Sequence, residues 1–195
     1  MKKYELTAEF IKKWGKKLFR IKALISFGSV EAGELGGYVE KEDNLAQNGD
    51  AWVYGNAWVY GNAEVYGNAE VYGNAEVYGN ARVYGNAWVY GNARVYGNAE
   101  VCGNARVYGN ADYLLIGRIG SRFSFTTFFK NKDKGITVSC GCFLGTIAEF
   151  RAKVTDTHGN NKHAKMYNLA ADMAELQILG EEHFDKLNTN KSEPF

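Results

Sequence analysis

Residues 117–122 read Gly-Arg-Ile-Gly-Ser-Arg, with two arginines and a serine set among glycines. Glycine frees backbone amides, and guanidinium groups present planar forks of donors, so the pair of features suits phosphate. Thr126, Thr127 and His158 are expected to line the same pocket. The candidate ligand site is therefore Arg118, Ser121, Arg122, Thr126, Thr127 and His158, taking a small anionic, nucleotide-like molecule. The competing role for these arginines is structural, with the guanidinium groups capping chain carbonyls or pairing with Glu149 or Glu175.

Two other chemistries have candidate residues. Cys140-Gly-Cys142 together with His158 and His163 offers four metal-ligand types. Zinc pairs usually have two to four residues between the cysteines, so that a turn converges the thiolates. Here a single glycine separates them within an apparent strand, so both read as small packed hydrophobes. No metal and no cofactor is expected. General-base catalysis calls for a histidine at the reacting group. His158, His163 and His183 all lie late in the chain, and none falls within 36–116.

Composition narrows the classes. The 195 residues are 46% hydrophobic with a net charge of +1, which fits neither a nucleic-acid polycation nor an acidic mimic of DNA. The charge is unevenly placed. Residues 1–24 hold eight basic and two acidic side chains, and residues 31–50 hold six acidic and one basic. The basic segment reads as a solvated hairpin face. With no long apolar run, no apolar leader and three scattered cysteines, a soluble, cytoplasmic protein without a disulfide framework is expected.

Positioning any site falls to an internal repeat. Val recurs at 53, 59, 65 and every sixth residue to 107, within Ala-x-Val-Tyr-Gly-Asn except at Val101, where Cys102 replaces Tyr. Six residues suit one short strand and one corner of a β-solenoid. Alternation along Ala-x-Val-Tyr sends Ala and Val inward, and x and Tyr outward. Gly-Asn supplies the corner, because both residues enter left-handed backbone cheaply.

The variable slot decides how many strands make a turn. Its occupants are Trp52, Trp58, Glu64, Glu70, Glu76, Arg82, Trp88, Arg94, Glu100, Arg106 and Asp112. Residues one turn apart stack at about 4.8 Å. Opposite charges there help by roughly 0.2–1 kcal/mol, and like charges hurt. A period of 12 stacks Arg82, Arg94 and Arg106, and a period of 24 stacks Arg82 on Arg106. A period of 18 gives Glu64–Arg82–Glu100, Trp58–Glu76–Arg94–Asp112 and Trp52–Glu70–Trp88–Arg106, with no like pair. Three strands per turn are predicted. The tyrosines then form outward columns, and the face carrying Trp52, Tyr54, Tyr72, Trp88, Tyr90 and Tyr108 is expected to pack against another subunit.

The repeat Val-Tyr-Gly-Asn-Ala-x resembles the hexapeptide repeat of left-handed parallel β-helix proteins, with Tyr where that family usually has a small or acidic residue. The resemblance implies a left-handed coil and a homotrimer. "EAGELGGYV", followed by "EKEDNLAQNGDAWVYGNA", resembles bacterial and prophage-encoded members that carry a transferase label. Acyl transfer is the family's common activity. Its base would here have to be His158, supplied across a subunit boundary. The prophage resemblance implies instead a protein that sequesters a host nucleotide-like signal or docks on a host protein.

The expected architecture is mainly β. A hairpin cap spans 1–35 and turns at Trp14-Gly15. The three-sided β-helix spans 36–116, with Val39 and Leu45 continuing the six-residue phase from Ala51. A ββαα module spans 117–183 and a tail spans 184–195. In the module, Ile136, Val138, Cys140 and Cys142 share a strand face, and Thr146-x-x-Glu149 opens a helix. A second helix carries Met166, Leu169, Ala170, Met173 and Leu176 at helical spacing and stops at Gly180. The leading function is a non-catalytic, homo-oligomeric binding protein. The alternatives are an acyl-CoA-dependent acyltransferase and a structural spacer.

Overall fold

The computed structural model describes residues 2–181. The chain divides into two compact units, one ending at Asn110 and one beginning at Ala111.

The first unit opens with a hairpin of β1 (Tyr4–Lys13) and β2 (Lys16–Ala23). Its two-residue turn is Trp14-Gly15, both at positive φ, which matches the twist of the flanking strands. β3 (Leu35–Val39) runs antiparallel to β2. Ten two-residue strands follow, β4 (Trp52–Val53) through β13 (Arg106–Val107), one every six residues. They stack in three parallel ladders: β3-β5-β8-β11, β4-β7-β10-β13 and β6-β9-β12. The hairpin extends the first ladder to six strands.

The ladder register is the predicted 18 residues. Trp52 pairs with Glu70, Glu70 with Trp88 and Trp88 with Arg106. Glu64, Arg82 and Glu100 form one column, and Trp58, Glu76 and Arg94 another. Every repeat Ala and Val from Ala51 to Val107 is buried. Each six-residue segment is tied to the next coil by main-chain bonds such as Trp58 N to Ala75 O at 2.9 Å, Tyr60 N to Val77 O at 3.0 Å and Asn62 N to Gly79 O at 2.8 Å. Corner asparagines add a side-chain ladder, with Asn62, Asn80 and Asn98 linked at 3.2 Å.

Two departures lie at the ends of the repeat. The first coil is longer, since Val39 pairs with Val59 and Leu45 bridges to Val65. Both residues point inward, but they stack on the Val positions and not in the phase of Ala51. At the other end, the two-residue strands stop at Val107, and the slot residue Asp112 is not in a strand. It lies in a short 3-10 turn, Asn110–Asp112, and bonds Lys130 at 3.2 Å.

The outward slot behaves as its signs demand. Arg82 lies 3.8 Å from both Glu64 and Glu100, and Arg94 lies 3.3 Å from Glu76. Arg106 sets its guanidinium 3.9 Å above the Trp88 ring and donates to the Asn86 and Ala105 carbonyls. Tyr60 stacks on Tyr78 at 5.0 Å and Tyr66 on Tyr84 at 4.8 Å, with rings nearly parallel. The hairpin tip extends one of these stacks, with Trp14 resting on Tyr60 at 5.4 Å. The basic and acidic segments meet each other, as in Lys2 with Glu42 and Lys16 with Glu40, both at 2.6 Å.

Trp52 corrects the expected subunit face. It projects from the coil as the alternation requires, yet it is fully buried under the chain's own Tyr4 and Phe27. Ser29 lies over Tyr54, with 3.1 Å between the hydroxyls. The open part of this face is Tyr72, Trp88, Tyr90 and Tyr108, and Tyr108 is the most exposed, at 61%.

The second unit is a four-stranded antiparallel sheet with two helices. Its strands, β14 (Tyr113–Ile119), β15 (Ser124–Lys130), β16 (Ile136–Cys140) and β17 (Phe143–Thr146), lie in chain order. The predicted hairpin is the inner pair, and β14 and β17 add the two flanking strands. α1 (Ile147–His158) opens with the predicted capping box, Thr146 and Glu149 bonding each other's backbone amides. α2 (Lys162–Leu179) is capped by Asn161 and ends at Gly180. Phe128, Ile136 and Val138 of the sheet pack with Phe150 and Val154 of α1 and with α2. Arg151 ties the helices together through Asp172 and Glu175, each at 2.7 Å.

α2 turns the other way from the predicted stripe. Ala164, Tyr167, Ala170, Ala171, Ala174 and Ile178 are buried, while Met166, Leu169, Met173 and Leu176 are exposed. Both faces carry apolar residues at helical spacing. Alanines let the helix axis approach the sheet closely, so the small face wins the core. The expected tail, 184–195, lies outside the described residues. Among the described residues no helix is long and apolar enough to cross a membrane.

Candidate functional site

The second unit contains a cleft of about 210 Å³. Three segments converge on it: the turn from β14 to β15, the turn from β16 to β17, and the facing sides of α1 and α2. Ser121 and Arg122 come from the first turn, Gly141 and Cys142 from the second. Phe150, Lys153, Val154 and His158 come from α1, and Tyr167 comes from α2.

Local backbone explains each placement. β14 and β15 lose register between Ile116 and Ile119, and the chain then turns through Gly120 at a φ of 74°. Glycine is required there for space as well as backbone, since an added Cβ would fall 1.8 Å from the Tyr167 hydroxyl oxygen. Cys140 pairs with Phe143, so Gly141 and Cys142 are the two residues of a hairpin turn, with Gly141 at a φ of 60°. Cys142 is therefore exposed on a turn and does not share the strand face of Ile136, Val138 and Cys140. Arg122 leans over this turn, with one guanidinium nitrogen 3.7 Å from where a Cβ on Gly141 would lie.

The cleft has an apolar body and a cationic mouth. Phe143, Phe150, Val154 and the Tyr167 ring wall it, with Phe150 edge-on to Tyr167 at 5.6 Å. His158 stacks on Tyr167 at 5.8 Å. Arg122 and Lys153 are the cations among its lining residues, Lys153 being paired with Asp156 at 3.2 Å, and no Asp or Glu is among the lining residues. Burial, reinforced by the neighbouring Cys140 sulfur and opposed by Arg122, pushes the Tyr167 phenol up to about 12. The phenol is thus a neutral donor over the ordinary pH range.

Three of the six residues expected to bind a ligand meet here: Ser121, Arg122 and His158. The other three do not line the cleft. Arg118 is exposed on β14, within the stretch that loses register. Thr126 is buried beneath the cleft, where its hydroxyl lies 3.2 Å from the Cys140 sulfur. Thr127, one residue on, points to the opposite face of β15 by strand alternation. Lys153 and Tyr167 are among the lining residues that sequence reasoning passed over, and Cys142 was weighed only as a metal ligand or a packed hydrophobe. Gly141 was the available signal for Cys142, because a lone glycine between cysteines also marks a tight turn. Among the described residues no three His, Cys, Asp or Glu side chains converge as metal ligands would.

A second depression lies on the first ladder, over Trp58, Glu76, Arg94 and Asn74. Its acid, Glu76, is paired with Arg94 at 3.3 Å, and its other cation, Lys13, lies 4.6 Å over the Trp58 ring. Among the residues lining the cleft of the second unit, by contrast, no acid accompanies Arg122.

The family described as YdcK Beta solenoid repeat matches the chain at residues 75–91 and 87–102, within the ladders. The match agrees with the fold and does not reach the cleft. No curated protein matches the chain.

Proposed function

We propose that the chain is a non-catalytic β-solenoid binding protein whose second unit holds a small amphipathic anion, such as a nucleotide. The observation that carries this reading is the cleft itself: aromatic walls, Arg122 and Lys153 at the mouth, and no lining carboxylate. A flat ring fits among Phe143, Phe150 and Tyr167, and a phosphate fits the guanidinium fork of Arg122. The six-residue repeat supports kinship with hexapeptide β-helix proteins. Self-association through Tyr72, Trp88, Tyr90 and Tyr108 is part of the same proposal, since these rings are the part of that face not covered by the chain's own N-terminal segment.

Calorimetric titration with adenosine monophosphate, adenosine and inorganic phosphate tests the ligand reading. The nucleotide should bind more tightly than either fragment. Arg122→Ala should weaken it about ten- to hundredfold, the value of one charge-assisted contact. No binding of any of the three, or binding indifferent to Arg122→Ala, refutes the reading.

One observation keeps acyl transfer as a second reading: His158 lines the same cleft. Turnover of acyl-CoA with a panel of amines, lost in His158→Ala, would support it. Absence of turnover would end it.

A further inference from the structure

α2 carries apolar residues on two opposite faces, and one of them enters the core. Ala164, Tyr167, Ala171, Ala174 and Ile178 pack within the second unit, whereas Met166, Leu169, Met173 and Leu176 are between 40% and 63% exposed. α1 differs, with Glu149, Lys153, Thr155 and Asp156 on its exposed side. A helix that is apolar on both faces is one whose outer face is covered in the working protein.

Spacing and charge identify the cover. The four exposed residues follow one another at intervals of three, four and three, the a–d–a–d seam of two heptads. Read backwards, Met-Leu-Met-Leu becomes Leu-Met-Leu-Met. An antiparallel copy of the same helix therefore sets Met166 against the partner's Leu176 and Leu169 against the partner's Met173, and a two-fold axis repeats both contacts. Every layer then pairs one Met with one Leu, so the seam keeps a constant width. A parallel copy would alternate Met–Met and Leu–Leu layers instead.

The ends fit the same arrangement. Lys162 and Lys165 are exposed at the N-terminal end of α2, and Glu181 is exposed just past the Gly180 cap. Each sign opposes the dipole of its own helix, which favours acids at the N-terminus and bases at the C-terminus. In an antiparallel pair each lysine end lies beside the partner's Glu181 and beside the negative C-terminal end of the partner helix. A charge placement that weakens a lone helix stabilises the pair.

We infer that the exposed stripe of α2 is a self-association surface that takes α2 of a second copy, antiparallel and related by a two-fold axis. It is distinct from the ladder face of Tyr72, Trp88, Tyr90 and Tyr108. It is also independent of the anion cleft, which Tyr167 lines from the opposite side of α2.

Sedimentation equilibrium of the full chain at concentrations up to about 0.5 mM tests it, and a reversible association is expected. Leu169→Glu places a carboxylate in both central layers and should raise the dissociation constant at least about tenfold. Leu169 is exposed in the single copy, so thermal unfolding of this variant should be unchanged. Lys162→Glu combined with Lys165→Glu sets like charges against the partner's Glu181 and should weaken association about fivefold at low salt. Adding Glu181→Lys should restore it. All three end substitutions suit the dipole of α2 itself, so the weakening cannot come from a damaged helix. Restoration also marks the antiparallel sense, since in a parallel pair like ends meet whichever sign they carry. A chain that stays monomeric, an association indifferent to Leu169→Glu, or an end reversal that Glu181→Lys does not relieve overturns the proposal. Association that survives Leu169→Glu but is lost in Tyr108→Ser leaves the ladder interface standing and removes this one. A monomer that floats with anionic lipid vesicles, and ceases to in Leu169→Glu, overturns it in favour of a membrane surface.

Discussion

Gly79→Ala and Gly103→Ala impose similar backbone strain but different crowding, so the pair isolates what stacking demands of a solenoid corner. Both glycines sit at positive φ, 75° and 63°. An L-residue held there costs roughly 1–2 kcal/mol. At 79 an added Cβ would stand 3.0 Å from the amide nitrogen of Gly97 and 3.2 Å from its oxygen. At 103 it would meet nothing within 4 Å. The corner at Gly97 has little freedom to retreat, because its oxygen accepts from Asn80 N at 2.8 Å and the Asn80 and Asn98 side chains are bonded at 3.2 Å. Forcing a methyl into a site that cannot relax adds typically about 1–3 kcal/mol. Gly103→Ala should therefore lose about 1–2 kcal/mol and Gly79→Ala about 2–5 kcal/mol. Urea unfolding followed by circular dichroism measures both, with an unchanged m-value required before midpoints are compared. A change in m would mean that coils unravel separately, as a one-dimensional stack permits. Equal losses, or a milder effect at 79, would refute the claim that coil-to-coil contact excludes side chains from the corner.

Two further perturbations probe charge. Arg82→Glu turns both 3.8 Å contacts into like-charge contacts. The three side chains are 35–52% open to water, so the loss at low salt should stay near 1 kcal/mol and shrink in 1 M salt; a loss that salt does not touch would contradict the ladder reading. Lys3 is the pH probe. Burial lowers its ammonium to about 8 from 10.5, against the opposing pull of Asp50, while its nitrogen bonds Ala51 O at 2.8 Å. Between those two values the unfolded chain keeps a proton that the folded chain has released, so stability should rise as pH climbs from 8 toward 10. Above 10 the trend reverses, because burial raises the Tyr4 phenol and the unfolded chain gives up its proton first. Lys3→Met should flatten the rise, measured as unfolding midpoint against pH; a rise that survives the substitution belongs to another group.

The solenoid was legible because stacking turns a one-dimensional pattern into pair contacts whose signs can be checked. Glu64, Arg82 and Glu100 are 18 residues apart, and only one period makes every such neighbour opposite. What the period cannot say is what lies over an outward residue. Trp52 obeys the alternation and is nonetheless buried, because Tyr4 and Phe27 come from a segment outside the repeat. The stripe on α2 failed for a related reason. Met166, Leu169, Met173 and Leu176 satisfy the helical period as well as Ala164, Tyr167, Ala171 and Ile178 do. The decision rests on side-chain volume against the sheet, and the charged Glu175 on the buried side hides it further by pairing with Arg151. The cleft is a mixed case. Ser121, Arg122 and His158 meet because the β14–β15 turn and the C-terminal end of α1 close over the same space. Thr126 and Thr127 could have been separated without a structure, since adjacent residues of a strand point to opposite faces. The same alternation rule bears on the thiols: Cys140 and Cys142 share a face only if the strand runs through Gly141. Gly141 sits at a φ of 60°, a conformation that ends a strand, so the glycine that argued against a metal pair is what places Cys142 on an exposed turn lining the cleft.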